Sequence, residues 1–193
     1  MNAASPVTPE APIADGGRRE HVLAVALDTF ARYGYRKTSM EDVARAAAIS
    51  RPGLYLLFGS KQELFSAAVT QALDMSLDAV SEVLAGPTRP LHDRVLDAFD
   101  HWTGRYIGAM SREVNSMAAE YADMLGPAVA EYPLRFAALL RAALAESPDT
   151  GKAARADAVA QTLISTSIGI KHEVRTREAF RERLATAIDL IAC

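Results

Sequence analysis

The sequence predicts an all-α protein with a small N-terminal unit and a larger C-terminal one. Apolar residues recur at helical spacing along nearly the whole chain. Serine and threonine caps with acids three residues on open several of these segments. No run alternates apolar and polar residues long enough to make a strand.

The elements follow in order. Val22, Leu23, Ala26, Leu27 and Phe30 share one face of a helix over about 18–33, and Gly34 supplies the left-handed residue that ends it. Thr38 and Ser39 are both candidate caps for a short second helix, with Glu41 and Asp42 as their acids. Met40, Val43, Ala44 and Ala47 are its buried stripe, and Ala47, Ala48 and Ile49 make a turn. Ser50 caps a third helix with Pro52 in its first turn, where a missing amide hydrogen costs nothing. Ser60 and Glu63 form a capping box for a long fourth helix reaching about residue 84. Gly86 and Pro87 punctuate the chain there. Five further helices are expected over roughly 89–109, 112–124, 127–146, 152–171 and 177–192, about nine in all. The domain reading is a disordered tail over 1–17, a compact unit over 18–66 and a second unit over 67–193.

Composition narrows the function. The net charge of −3 hides a polarity: residues 17–70 carry eight Lys/Arg against five Asp/Glu, whereas residues 71–193 carry 13 against 17. A basic unit on an acidic body suits a polyanionic partner at one end. No window is apolar enough to span a membrane, and residues 1–17 lack the basic and apolar regions of a secretory signal. The single cysteine, Cys193, permits no intrachain disulfide, and a cytoplasmic location is expected. His21, His92, His101 and His172 show no metal-ligand spacing, so neither metal nor cofactor is expected. No catalytic triad or glycine-rich phosphate loop is present. Asp93, Asp97 and Asp100 read as a solvated helix face rather than an acid/base site.

Residues 19–58 supply two short helices, a tight turn of small residues and a bracing helix. That is what a helix-turn-helix needs to lay its second helix in a DNA major groove. The run from Phe30 and Gly34 through Thr38, Ser39, Met40, Val43 and Ala44 to Ile49, Ser50, Leu54, Tyr55, Phe58, Lys61, Leu64 and Phe65 resembles the signature of the TetR/AcrR family. The resemblance covers about a quarter of the chain, the rest being similar only in its helical character and length. It implies a helix-turn-helix DNA-binding domain followed by a helical ligand-binding and dimerisation domain. Thr38, Ser39, Ser50, Tyr55 and Lys61 are then expected at phosphates, which fix position but carry little sequence information. Arg51, Pro52, Gly53 and Leu56 are expected to face bases, Arg51 bidentate to guanine, with Arg45 as a further contact. Arg18 and Arg19 are candidates for an N-terminal arm. Two positions depart from the family pattern. Ala48 stands where the turn usually has glycine, and Leu57 where a polar or aromatic residue is frequent.

The same resemblance implies a non-enzymatic repressor that binds a palindromic operator as a homodimer and is released by a small molecule. Trp102, Tyr106, Met110, Met117, Tyr121, Met124 and Phe136 are bulky and adaptable enough to line a pocket. Val159, Leu163, Ile164 and Ile168 stripe one C-terminal helix, and Phe180, Leu184, Ile188 and Ile191 stripe the other. Their spacing suits a four-helix dimer interface. Two alternatives stand beside this reading: an all-helical ligand carrier or enzyme, and a DNA-binding regulator with no small-molecule effector.

Overall fold

The structure, a computed structural model, describes residues 15–86, 88–107, 122–146 and 150–192. All regular structure among them is helical: α1 (Asp15–Tyr33), α2 (Met40–Ala46), α3 (Arg51–Leu57), α4 (Lys61–Ala85) and α5 (Leu91–Trp102) come first. A 3-10 turn (Gly104–Tyr106) follows, then α6 (Ala122–Leu125), α7 (Ala128–Ala145), α8 (Thr150–Ala153), α9 (Ala156–Glu173) and α10 (Arg177–Ala192).

The N-terminal core is built by α1 to α4. Val22, Leu23, Ala26 and Phe30 of α1 meet Leu64, Phe65 and Ala68 of α4, and Met40, Val43, Ala44, Leu54 and Phe58 fill the space between. Phe30 and Phe65 pack edge to face at 5.4 Å. Leu125 of α6 closes this core from the other side. The same α4 then continues, and its Leu77, Val80 and Leu84 enter a second core with α5, α7, α9 and α10. One helix of 25 residues, about 37 Å long, therefore belongs to both cores.

The turn between α2 and α3 is strained at one residue. Ala48 sits at φ +53°, the one non-glycine residue with positive φ among those described. Its amide donates to the Arg45 carbonyl at 3.2 Å, and that of Ile49 donates to Ala44 at 3.0 Å. These bonds satisfy the last carbonyls of α2 and hold alanine in a region that its Cβ disfavours. Gly34 at φ +82° ends α1 as expected.

Several expectations for the C-terminal unit need correction. The helix expected over 89–109 stops at Trp102 and gives way to the 3-10 turn. The helix expected over 152–171 is split into α8 and α9 by a turn at residues 154 and 155. Of the helix expected over 112–124, all but the last residues lie outside those described.

The solvated acidic face is also corrected, because Asp97 and Asp100 are tied to α10. Arg177 clamps Asp100 with Nε at 2.8 Å and Nη2 at 2.5 Å. Arg181 bridges Asp100 and Asp97 at 2.8 Å each, and Arg89 reaches Asp97 at 2.7 Å. Asp100 is only 4% exposed. Burial pushes both carboxyls up, but the arginines outweigh it and hold them below the usual carboxylate range. Asp93, the third member, lies instead beside His92, 3.1 Å from its Nδ1.

The dimer stripes turn inward. Leu163, Phe180, Leu184 and Ile188 are fully buried within the monomer, and Val159, Ile164 and Ile191 pack partly buried against the same core. Two helices at a domain surface must first cover their own core, and their most regular apolar stripes do that. Of the expected set only Ile168 faces outward, at 52% exposure.

Two stability outcomes follow. A Cβ on Gly104 would collide with Asp100 Oδ1 and touch the Phe180 ring. Gly104→Ala should therefore destabilise the protein by about 1–3 kcal/mol in urea unfolding, and an unchanged midpoint would mean that Asp100 is not fixed there. Ala48→Gly should stabilise it by about 0.5–1 kcal/mol, because relief of the left-handed alanine exceeds the extra chain entropy of glycine. Loss of stability would contradict the strained turn.

Candidate nucleic-acid interface

The candidate interface is built from its caps outward. Ser39 is the N-cap of α2: its hydroxyl accepts from the Asp42 amide at 3.1 Å, and its own amide donates to Asp42 Oδ2 at 2.9 Å. This reciprocal box uses aspartate where glutamate is usual, and the bonds from the Ser39 hydroxyl and amide hold the Asp42 carboxyl below its ordinary value. Thr38 is not a cap. It is 3% exposed, and its hydroxyl donates to the Gly34 carbonyl at 2.9 Å. The expectation that Thr38 offers this hydroxyl to a phosphate is corrected: it closes the turn that aims α2.

Lys61 plays a part that sequence reasoning missed. Its Nζ donates to the Tyr35 and Thr38 carbonyls, 3.0 Å each, and sits 4.3 Å above the Tyr35 ring. The ammonium thereby pins the α1–α2 turn to the first residue of α4. Two of the three donors of the ammonium are thus used within the chain. The signal in the sequence was only a lysine at a helix start, which gives no hint of carbonyls more than twenty residues away.

Helix α3 is held from below and bare above. The Ser50 hydroxyl accepts from the Gly53 amide at 3.1 Å, and Leu54 and Phe58 are buried. Leu57 packs partly buried against the same core instead of pointing at a partner. Arg51, Pro52, Tyr55 and Leu56 form the outer surface, and Leu56 is 88% exposed. Gly53 leaves room for the cap of its own helix and lies next to Arg18 of α1. A Cβ there would sit 3.0 Å from Ser50 Oγ and 3.6 Å from Arg18 Nη2. Arg19 packs its guanidinium 4.9 Å from the Phe58 ring centre. The two arginines expected as a loose arm thus lie against α3.

Charge on this surface is shared between two helices. Glu41 of α2 sends one oxygen to Arg45, 3.5 Å away, and the other toward Arg51 of α3, 3.9 Å away. Asp42 Oδ1 also faces Arg45 at 3.5 Å. Arg51 extends over the Tyr55 ring at 5.8 Å. All of these groups are solvent-exposed, so each pairing adds little to the stability of the fold.

Among the described residues, the expected pocket side chains Trp102, Tyr106 and Phe136 pack on other side chains. Phe136 is buried, with Trp102 stacked on it at 5.0 Å and Phe99 edge-on at 5.2 Å. The Tyr106 hydroxyl pairs with buried Ser76 of α4 at 3.0 Å. Met124 packs against the N-terminal core and borders an open groove of about 1140 Å³ between α1 and α4. Met110, Met117 and Tyr121 lie outside the described residues. Among the described residues no group of His, Cys, Asp and Glu could hold a metal ion. No helix among them is long and apolar enough to cross a membrane.

Comparison with known proteins points the same way. Residues 22–68 match the model of the bacterial regulatory proteins of the tetR family. The HTH-type transcriptional regulator RutR of Escherichia coli is 37% identical over 60 residues, 31% of this chain and 28% of RutR. The HTH-type transcriptional activator FasR of Mycolicibacterium smegmatis is 34% identical over 71 residues, 37% of this chain and 32% of FasR. These alignments thus span about a third or less of the relatives' length. Solved structures extend the likeness of fold to nearly the whole chain. Reduced NemR of E. coli superposes with a TM-score of 0.73 at 18% identity, covering 91% of this chain and 98% of NemR. A TetR regulator from Haloarcula marismortui gives 0.73 at 16% identity, covering 92% and 97%. Residues 22–68 of this chain thus carry the N-terminal domain of the tetR family of bacterial regulatory proteins, and the chain shares its fold with solved proteins of that name.

Proposed function

We propose that the protein is a cytoplasmic, non-enzymatic transcriptional regulator that grips double-stranded DNA with α2 and α3. The observation that carries this reading is the outer surface of α3. Its caps and inner residues are all engaged, whereas Arg51, Pro52, Tyr55 and Leu56 project from a rigid support. An exposed leucine next to an exposed tyrosine and arginine is costly in water and useful against base edges and thymine methyls. Ser39, Ser50, Tyr55 and the remaining donor of Lys61 would meet phosphates, and Arg45 would add charge at the margin.

A homodimer is part of the proposal. The outward faces of α9 and α10 carry Ile168 and the 81% exposed Leu190 among small residues such as Ala158, Ser165 and Gly169. Small residues let helices approach closely, and a second copy related by a two-fold axis would place two α3 helices on a palindromic operator. Repression relieved by a small molecule is the family reading that we adopt. A regulator without such an effector is favoured by one observation, the close mutual packing of Trp102, Phe99 and Phe136.

The test is selection of bound duplexes from a random pool. Arg51→Ala should relax the preference at one base position in each half-site. Tyr55→Phe should weaken all duplexes alike, several-fold, without changing the preferred sequence. If neither substitution changes binding, α3 is not the recognition helix.

A further inference from the structure

Glu41 stands out on the proposed DNA face as an acid where phosphates must approach. It is not a cap partner of α2, since that task belongs to Asp42. Its carboxylate is 60% exposed and divides its two oxygens between arginines on two helices, Arg45 of its own and Arg51 of α3. Arg51 is thus bounded on one side by the Tyr55 ring and on another by a carboxylate. A guanidinium has five donors in a fixed fork, so Nη1 can face a carboxylate while another edge stays open.

We propose that Glu41 is a positioning residue for sequence discrimination: it aims Arg51 at a guanine edge and keeps it off the phosphates. The inference rests on the reading of α3 as the recognition helix. Two physical effects act in one direction. A free arginine on a long, flexible stem has many phosphates within reach, and each such contact stabilises binding to any sequence. A carboxylate beside it restricts the rotamers of the arginine and repels the phosphate backbone, which penalises unaimed binding more than aimed binding. In the specific complex the Glu41–Arg51 pair is desolvated along with the guanine edge, so the carboxylate strengthens the fork that it orients. Arg45, 3.5 Å from the other Glu41 oxygen, screens part of its charge.

The experiment uses the full chain and two probes, a duplex enriched from a random pool and a scrambled duplex of the same length. Affinities are measured over a range of salt for wild type, Glu41→Gln, Glu41→Asp, Arg51→Ala and the double variant Glu41→Gln/Arg51→Ala. Glu41→Gln should tighten binding to the scrambled duplex about three- to tenfold and steepen its log–log salt slope by about one, for one extra phosphate contact. The ratio of enriched to scrambled affinity should fall about tenfold, and Glu41→Asp should restore part of it. In the Arg51→Ala background, Glu41→Gln should leave the ratio unchanged. An unchanged ratio in Glu41→Gln alone would overturn the proposal. So would a fall of equal size in the Arg51→Ala background, which would mean that Glu41 itself reads a base. If wild type binds neither duplex in a salt-dependent way, the DNA-binding reading fails first, and the positioning role falls with it.

Discussion

The proposed recognition unit depends on one constraint: two helices of seven residues each cannot stand by themselves. Neither α2 nor α3 has the length to repay helix nucleation in water. Each exists because its inner face is buried between α1 and the first half of α4. The Phe30–Phe65 contact closes that space, and Lys61 fastens the entry to α2 by two carbonyls. Stability and function therefore share the same residues. Whatever holds Leu54 and Phe58 in place also fixes the direction in which Tyr55 and Leu56 project.

That arrangement passes its rigidity along α4. The last fully buried α4 residue of the N-terminal core is Ala68, and the first of the second core is Leu77. Between these points it is tied by polar bonds. Asp74 accepts from the Tyr132 hydroxyl at 2.5 Å, and Ser76 pairs with Tyr106. Burial and the neighbouring Asp74 carboxylate push the Tyr132 phenol up to about 12, so it remains a proton donor throughout the ordinary pH range. Further along, the Asp97–Asp100 cluster adds charge to the apolar contact that joins α5 and α10. A displacement of α10 must break bonds to a buried carboxylate, which makes it a costly place to bend.

Capping residues and periodicity made the head of the molecule legible from sequence alone. Ser39, Ser50 and Ser60 cap where they were expected, and Gly34 ends α1 with the conformation that only glycine takes easily. These are local rules, satisfied within four residues of chain. The misses are contacts between distant segments. Nothing near Lys61 announces the Tyr35 and Thr38 carbonyls, and nothing near Asp100 announces Arg177, 77 positions away. The C-terminal stripes misled for a related reason. Periodicity reveals that a helix has an apolar face but not whether its own chain or a second copy covers it. The quieter faces, with Ile168 and Leu190 among small residues, carry no such regular pattern.

The central claim is that the exposed face of α3 is what meets DNA, and hydroxyl-radical labelling of side chains tests it most directly. Tyr55 and Leu56 are reactive side chains open to solvent, and buried Leu54 provides an internal reference. Adding an enriched duplex at saturating concentration should protect Tyr55 and Leu56 several-fold. Met75, exposed on α4 beyond the residues that bury α2 and α3, should stay as reactive as before. If Tyr55 and Leu56 label equally with and without bound duplex, the DNA lies elsewhere and α3 is not its reader.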